Sequence, residues 1–204
     1  MRMTHGRLVT VEGLDGAGKT TLSRGLARAL RERGMNVREL REPGGVAAAE
    51  RIRALVADPG LALGARAEAL LFAAARAQLV EEVLAPTLAR GEWVLLDRFL
   101  DSSLAYQGGG RELGVAAVRA VNAFGLGGLV PDRTLLVRVP LGVGRARAGG
   151  EDRFEREDAA FFARVDAAYA ALAAAEPARV RVLDGTGSPD AVLAAALGEL
   201  GDLL

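Results

Sequence analysis

Gly13, Gly18, Lys19 and Thr20 fit the spacing G-x-x-x-x-G-K-[ST], inside the stretch GLDGAGKTT that runs from Gly13 to Thr21. That spacing suits one kind of chemistry, the holding of a polyphosphate. Glycines let the main chain wrap against phosphate oxygens, and the N–H groups of the loop and of the following helix supply the donors. Lys19 then reaches the β- and γ-phosphates as a compact charge, and the Thr20 hydroxyl is placed to ligate Mg²⁺. The chain has 26 lysines and arginines together, and Lys19 is the only lysine among them. A guanidinium fork is larger and differently shaped, so arginine is a poor substitute at this point. The motif establishes nucleotide binding and leaves the reaction open.

Other residues narrow the reaction. Asp97 and Arg98 end a β-rich run, where a carboxylate could bind Mg²⁺ directly or through water, and an arginine can fork two phosphate oxygens. Phe72 and Arg76 are four apart, hence on one face of a helix, and together offer a stacking ring and a donor fork for a base. Arg145, Arg147 and Arg153 surround Gly149-Gly150, a composition suited to a lid that brings charge in after substrate binds. Phosphoryl transfer needs such alignment and neutralisation more than a covalent partner. A regulatory GTPase reading fails, because Asn-Lys-x-Asp recognition of guanine needs a second lysine. DGTG (Asp184 to Gly187) is placed instead to border the nucleotide base.

These residues need elements to hold them. RLVTVEG (Arg7 to Gly13) reads as a buried strand, and apolar positions from Gly18 to about Arg33 recur at helical spacing until Gly34. NVREL is a second strand, followed by the turn REPGG. Helices are expected near Ala47–Ala57 and Arg66–Arg90, parted by Pro59-Gly60. EWVLLD is a third strand, QGGGR a glycine-rich loop, and Val115–Phe124 a helix. DRTLLVRVP is a fourth strand. An alanine-rich helix to about Ala175, the strand RVRVLDG and a closing helix from Pro189 complete the chain. Alternation of this kind gives an α/β fold, a five-stranded parallel sheet with helices on both faces, which binds ligands beyond the carboxyl ends of its strands. One domain over 1–204 is expected, with a mobile lid at 142–158.

Composition sets outer bounds. Half of the residues are hydrophobic and the formal net charge is zero, so general binding of a polyanion such as nucleic acid is not expected. Cysteine is absent and His5 is the lone histidine, which excludes disulfides, thiolate metal sites and multi-histidine zinc sites. No apolar run suggests a signal peptide or a membrane span, and the cytoplasm is the expected compartment.

Taken in order, GLDGAGKTT, REPGG, AEALLFAAARAQLV, DRFLDSSLAYQGGGR and RARAGGEDRFE resemble the thymidylate kinases of bacteria, over Arg7 to about Gly187. The resemblance implies a P-loop NTPase fold of the nucleoside-monophosphate-kinase kind, with transfer of the ATP γ-phosphate to dTMP using Mg²⁺. It implies that Gly13, Gly16, Ala17, Gly18, Lys19, Thr20 and Thr21 hold ATP, with Thr20 and Asp97 at the metal. It places Arg98 and Arg53 on the acceptor phosphate, and Asp15 near the sugar 3′-hydroxyl and the reacting phosphates. Phe72 should stack on thymine and Arg76 should donate to its O4, a point at which cytosine offers a donor. The thymine methyl discriminates more weakly, by about 1–3 kcal/mol in an apolar pocket. Ser103, Tyr106 and Gln107 match positions lining the thymidine pocket, with Tyr106 crowding a ribose 2′-hydroxyl. The family's lid carries arginines where, as with Gly16, the P-loop lacks its own. Arg147 and Arg153 are then catalytic and Arg145 could instead stack on adenine. A homodimer is also implied. Two departures stand out: Val46 replaces the commoner threonine after EPGG, and two glycines, Gly149-Gly150, sit where one is usual. The nearest rivals are another nucleotide or nucleoside kinase on the same scaffold, and a catalytically silent nucleotide-binding module.

Overall fold

The computed structural model describes residues 6–147, 153–154 and 156–204, the side chain of Arg145 excepted. His5 and Gly149-Gly150 lie outside the described residues. Five parallel strands form one sheet in the order β2-β3-β1-β4-β5. They are β1 (Leu8–Glu12), β2 (Val37–Arg41), β3 (Trp93–Asp97), β4 (Arg133–Arg138) and β5 (Val180–Asp184). Every residue of the central strand β1 is buried, which is why its sequence, LVTVE, carries apolar residues toward both faces of the sheet, with Thr10 and Glu12 buried among hydrogen-bond partners.

Side-chain alternation divides the core. Val9, Val11, Leu95 and Val137 face α1 (Lys19–Glu32) and α9 (Pro189–Glu199), whose Leu22, Leu26, Leu30 and Ala196 complete that layer. Leu8, Val94 and Leu96 face the opposite way, against α2 (Ala47–Ala57) and α3 (Ala65–Leu79). Leu136 on the same side meets Phe161, Val165 and Tyr169 of α8 (Ala159–Ala175). The sheet is thus covered on both faces, as alternating strands and helices require.

Three elements differ from their sequence reading. The expected helix Arg66–Arg90 is α3, a π-helical turn over Val80–Leu84 and then α4 (Ala85–Ala89). Pro86 has no N–H for the carbonyl four residues back and its ring crowds it; the widened turn accommodates both. QGGGR is no loop: after α5 (Leu100–Ser103) the chain continues in π-helical form over Leu104–Gly110. Its glycines serve packing, since a Cβ on Gly109 would come within 2.6 Å of the Ala168 Cβ, and one on Gly110 within 2.6 Å of the Phe161 ring. Finally, the start of the expected lid is a short helix, α7 (Leu141–Arg147), beyond α6 (Val115–Leu126) and β4.

Candidate active site

The first connection leaves β1 toward β2 and the third leaves β3 toward β4, so the chain runs in opposite directions from the neighbouring ends of β1 and β3. Sheets of this kind bind ligands at such a divergence. Gly13 to Thr20 fills it from one side. Gly13 has φ +140°, Gly16 +74° and Gly18 +95°, values that L side chains rarely adopt. A Cβ on Gly13 would overlap the Val137 carbonyl, and one on Gly16 would overlap the Gly144 carbonyl of α7. Hence the motif needs these glycines twice, for the turn and for the close approach of β4 and α7. Gly185 of the DGTG turn packs in turn against Ala17, whose carbonyl lies 3.2 Å from a Cβ built there.

Lys19 is buried and its Nζ donates to the Leu14 carbonyl at 2.8 Å, with Asp15 Oδ1 3.8 Å away. Burial and the charge of Arg98 pull the ammonium down to about 8, against the opposing pull of Asp15, Asp97 and Glu12. Thr20 is exposed and its hydroxyl donates to Asp97 Oδ2 at 3.0 Å, across from P-loop to β3. Two oxygen groups from the protein, with the rest left to water and phosphate, is the donor set that Mg²⁺ favours. The residues therefore fit the ion.

Arg98 follows β3 with φ +69°, a rare conformation for a residue with a long side chain. It is held by several bonds. Its N–H donates to the Val11 carbonyl at 3.0 Å, and Nη1 donates to the Gly13 carbonyl at 3.0 Å and Ser102 Oγ at 3.1 Å. Nη2 donates to Asp15 Oδ1 at 2.6 Å. The Tyr106 ring lies under the guanidinium, 5.1 Å from centroid to Cζ, and its hydroxyl donates to Asp15 Oδ2 at 3.2 Å. Burial opposes the charge on Asp15, yet Arg98 and Lys19 outweigh it and hold the carboxyl down at about 2. Burial also pushes the Tyr106 hydroxyl up, so it remains a donor. Behind these residues, Glu12 accepts from the Phe99 N–H at 2.8 Å, from Ser102 and from the Tyr169 hydroxyl at 3.1 Å. Burial first, then Asp101, pushes Glu12 up to about 7 against the Ser102, Arg98 and Phe99 contacts.

An open cleft lies beside Asp15 and Arg98, lined by apolar rings and a few convergent polar groups, as small-molecule sites are. Arg53, Phe72, Arg76, Ser103, Tyr106 and Gln107 all line it, together with Glu42 and Phe154. Arg53 donates to the Pro43 carbonyl at 3.1 Å, while Arg51 is exposed. Arg76 is buried and most of its donors are committed. Nε and Nη2 reach Glu42 Oε2, Nη1 reaches Asn122 Oδ1, and Nη2 reaches the Phe99 carbonyl and Ser103 Oγ, each at 3.0 Å. A guanidinium has five N–H groups, so one on Nη1 is left for a ligand. Removing Arg76 would also strand the buried Glu42, a change that costs about 3–5 kcal/mol.

The lid arginines separate. Arg147 is exposed beside the P-loop, its Cβ only 3.0 Å from a Cβ built on Gly16. An arginine at position 16 would have no room there. Arg145 has its side chain outside the described residues. Arg153, expected at the transferred phosphate, stands on the acceptor side instead: Nη2 donates to Glu68 Oε2 at 2.6 Å and Nε to the Val56 carbonyl at 3.0 Å. The fully buried carboxylate of Glu68 explains the position, since it draws two guanidiniums. Sequence reasoning missed Glu68, Glu42 and Asn122. Glu68 precedes Phe72 by four residues, so the helical spacing that found Phe72 and Arg76 extends to it. Val46 caps α2 without a side-chain hydrogen bond, a bond that a threonine there is able to supply.

The comparisons with known proteins agree with this geometry. Residues 11–196 match the family model described as thymidylate kinase. A thymidylate kinase of Rhizorhabdus wittichii is 50% identical over 206 residues, covering 98% of this chain and 99% of its own. One from Bordetella pertussis is 47% identical over 203 residues, with 98% and 97% covered. The crystal structure of thymidylate kinase from Ehrlichia chaffeensis superposes with a TM-score of 0.80 at 29% identity, over 96% of this chain and 98% of that one. With the P-loop, the Asp97-Arg98 pair and the acceptor cleft in one place, the chain belongs to the thymidylate kinase family.

Proposed function

We propose that this protein transfers the γ-phosphate of ATP to dTMP, giving dTDP and ADP, with Mg²⁺ held by Thr20 and Asp97. The observation that carries the reading is the chain of contacts Lys19–Asp15–Arg98–Tyr106, which joins the donor loop to the acceptor cleft without a gap. The P-loop N–H groups and Lys19 hold the ATP phosphates, Nζ exchanging the Leu14 carbonyl for a phosphate oxygen. Arg98, with Arg53 nearby, takes the dTMP phosphate and turns its oxygen toward the donor. Bound Mg²⁺ would supply neutralisation of charge on the transferred group. Arg147, exposed beside Gly16, adds a cation on the donor side once ATP is in place. Asp15 receives the sugar 3′-hydroxyl while it fixes Arg98.

At the far end of the cleft Phe72 stacks on thymine, and the remaining Arg76 N–H donates to O4. Ser103 holds Arg76, and Tyr106 leaves no room for a 2′-hydroxyl. Arg145 is assigned to the adenine. We assign the enzyme to the cytoplasm because its nucleotide substrates are there; among the described residues no helix is long and apolar enough to cross a membrane. It works as a homodimer through α3 and α6, where Leu70, Val121 and above all Phe124, 99% exposed, present apolar surface. Coupled ADP release with dTMP, thymidine and AMP tests the reading: dTMP should be preferred by orders of magnitude, and preference for thymidine or AMP overturns it.

A further inference from the structure

Glu68 lies one helical turn before Phe72 and two before Arg76, so the three share a face of α3. It is fully buried, and every group around its carboxylate donates to it. Gln107 Nε2 reaches Oε1 at 2.9 Å, Arg111 Nε lies 3.2 Å from each oxygen, and Arg153 Nη2 reaches Oε2 at 2.6 Å. A carboxylate facing two guanidiniums only accepts. The Gln107 amide therefore has one orientation, its NH₂ toward Glu68 and its carbonyl away. No described residue donates to that carbonyl oxygen, and Gln107 lines the cleft.

We propose that Glu68 is a positioning residue for base specificity: by fixing the Gln107 amide it presents a bare acceptor that selects a pyrimidine carrying N–H at ring N3. The proposal rests on the reading of dTMP as the phosphate acceptor. Thymine and uracil carry that N–H. Cytosine has a lone pair at N3, which would face the lone pairs of the Gln107 carbonyl. A second donor–acceptor mismatch then adds to the one at O4, and the same carboxylate sets the outer wall. Arg153 and Arg111, both tied to Glu68, lie over the Phe154 ring at 4.8 and 5.8 Å.

The test is kcat/KM for dTMP and dCMP in the wild type, Glu68→Gln, Gln107→Leu and the double variant. With glutamine at position 68 the two amides pair either way round. The dTMP-to-dCMP ratio should fall roughly ten- to hundredfold, while KM for ATP stays put. In the Gln107→Leu background the same substitution should leave the ratio where Gln107→Leu alone sets it. Equal losses toward both nucleotides, or losses that add in the double variant, overturn the proposal. Should Glu68→Gln fail to fold by thermal melting, the wild type carries the test with dTMP methylated at N3. That compound should compete at least about tenfold more weakly than dTMP, and undiminished competition overturns the proposal. Failure of the underlying reading shows separately, as a wild type that does not turn over dTMP.

Discussion

Asp15 Oδ1 and Arg98 Nη2 meet at 2.6 Å, a charge-assisted bond that crosses from the P-loop to the end of β3. One carboxylate thereby ties the acceptor-phosphate arginine to the loop that holds the donor, and Lys19 stands on its other side at 3.8 Å. A bond of this kind contributes about 1.5–3 kcal/mol when one partner is charged. Asp15→Asn should accordingly lower kcat/KM for dTMP by roughly ten- to hundredfold, with KM for ATP changed much less. Steady-state kinetics with each substrate varied in turn reads this, and equal damage to both would mean that the loop itself had been disturbed.

Lys19 gives a pH dependence with a definite sign. In the empty site its ammonium is pulled down to about 8, by burial first and by Arg98 second. Bound polyphosphate favours the charged form, so the value in the complex is higher than in the free protein. ATP binding must then be insensitive to this group below pH 8 and weaken above it, with a proton taken up on binding. Calorimetry should find binding about fivefold weaker at pH 9 than at pH 8, with an observed heat that depends on the buffer at the higher pH. Equal affinity at the two values would remove Lys19 from the phosphates.

Gly16 and Gly18 form a natural control pair. Both have positive φ, so alanine at either costs about 1–2 kcal/mol in backbone strain. Only Gly16 also has α7 against it, whereas a Cβ on Gly18 meets nothing within 4 Å. Gly16→Ala should therefore displace α7 with Arg147 and lower kcat well beyond Gly18→Ala, at similar thermal stability. Matching kcat values in the two variants would separate α7 from the chemistry.

Phe124 tests the assembly. Its ring is almost wholly exposed on α6, a position that costs solubility unless something covers it. Sedimentation should show a dimer for the wild type and a shift to monomer for Phe124→Ser. A wild type that sediments as a monomer at micromolar concentration would contradict the dimer.

Much of the site was legible because its requirements are local. The P-loop spacing, the positive φ of Gly13, Gly16 and Gly18, and the pairing of Phe72 with Arg76 each lie within a few residues of sequence. The buried strand β1 was legible for the same reason, as a short β-rich run ending in glycine. Glu68 was not: a glutamate at that spacing reads as surface, and only Gln107, Arg111 and Arg153, 39 to 85 residues away, make it a buried hub. The position of Arg153 depends on that hub, so it could not be read either. QGGGR misled because glycine signals both a turn and a close approach of helices, and the second needs α8 to be in place.

The central claim is that the phosphate acceptor is dTMP, and competition in one vessel tests it most directly. The protein is incubated with Mg²⁺, ATP labelled at the γ-phosphate, and equimolar dTMP, dUMP, dCMP, AMP, GMP and thymidine. The label should appear overwhelmingly in dTDP, at its β-phosphate, with one ADP formed per label transferred. Label accumulating first in another diphosphate, or in dTMP made from thymidine, would contradict the account.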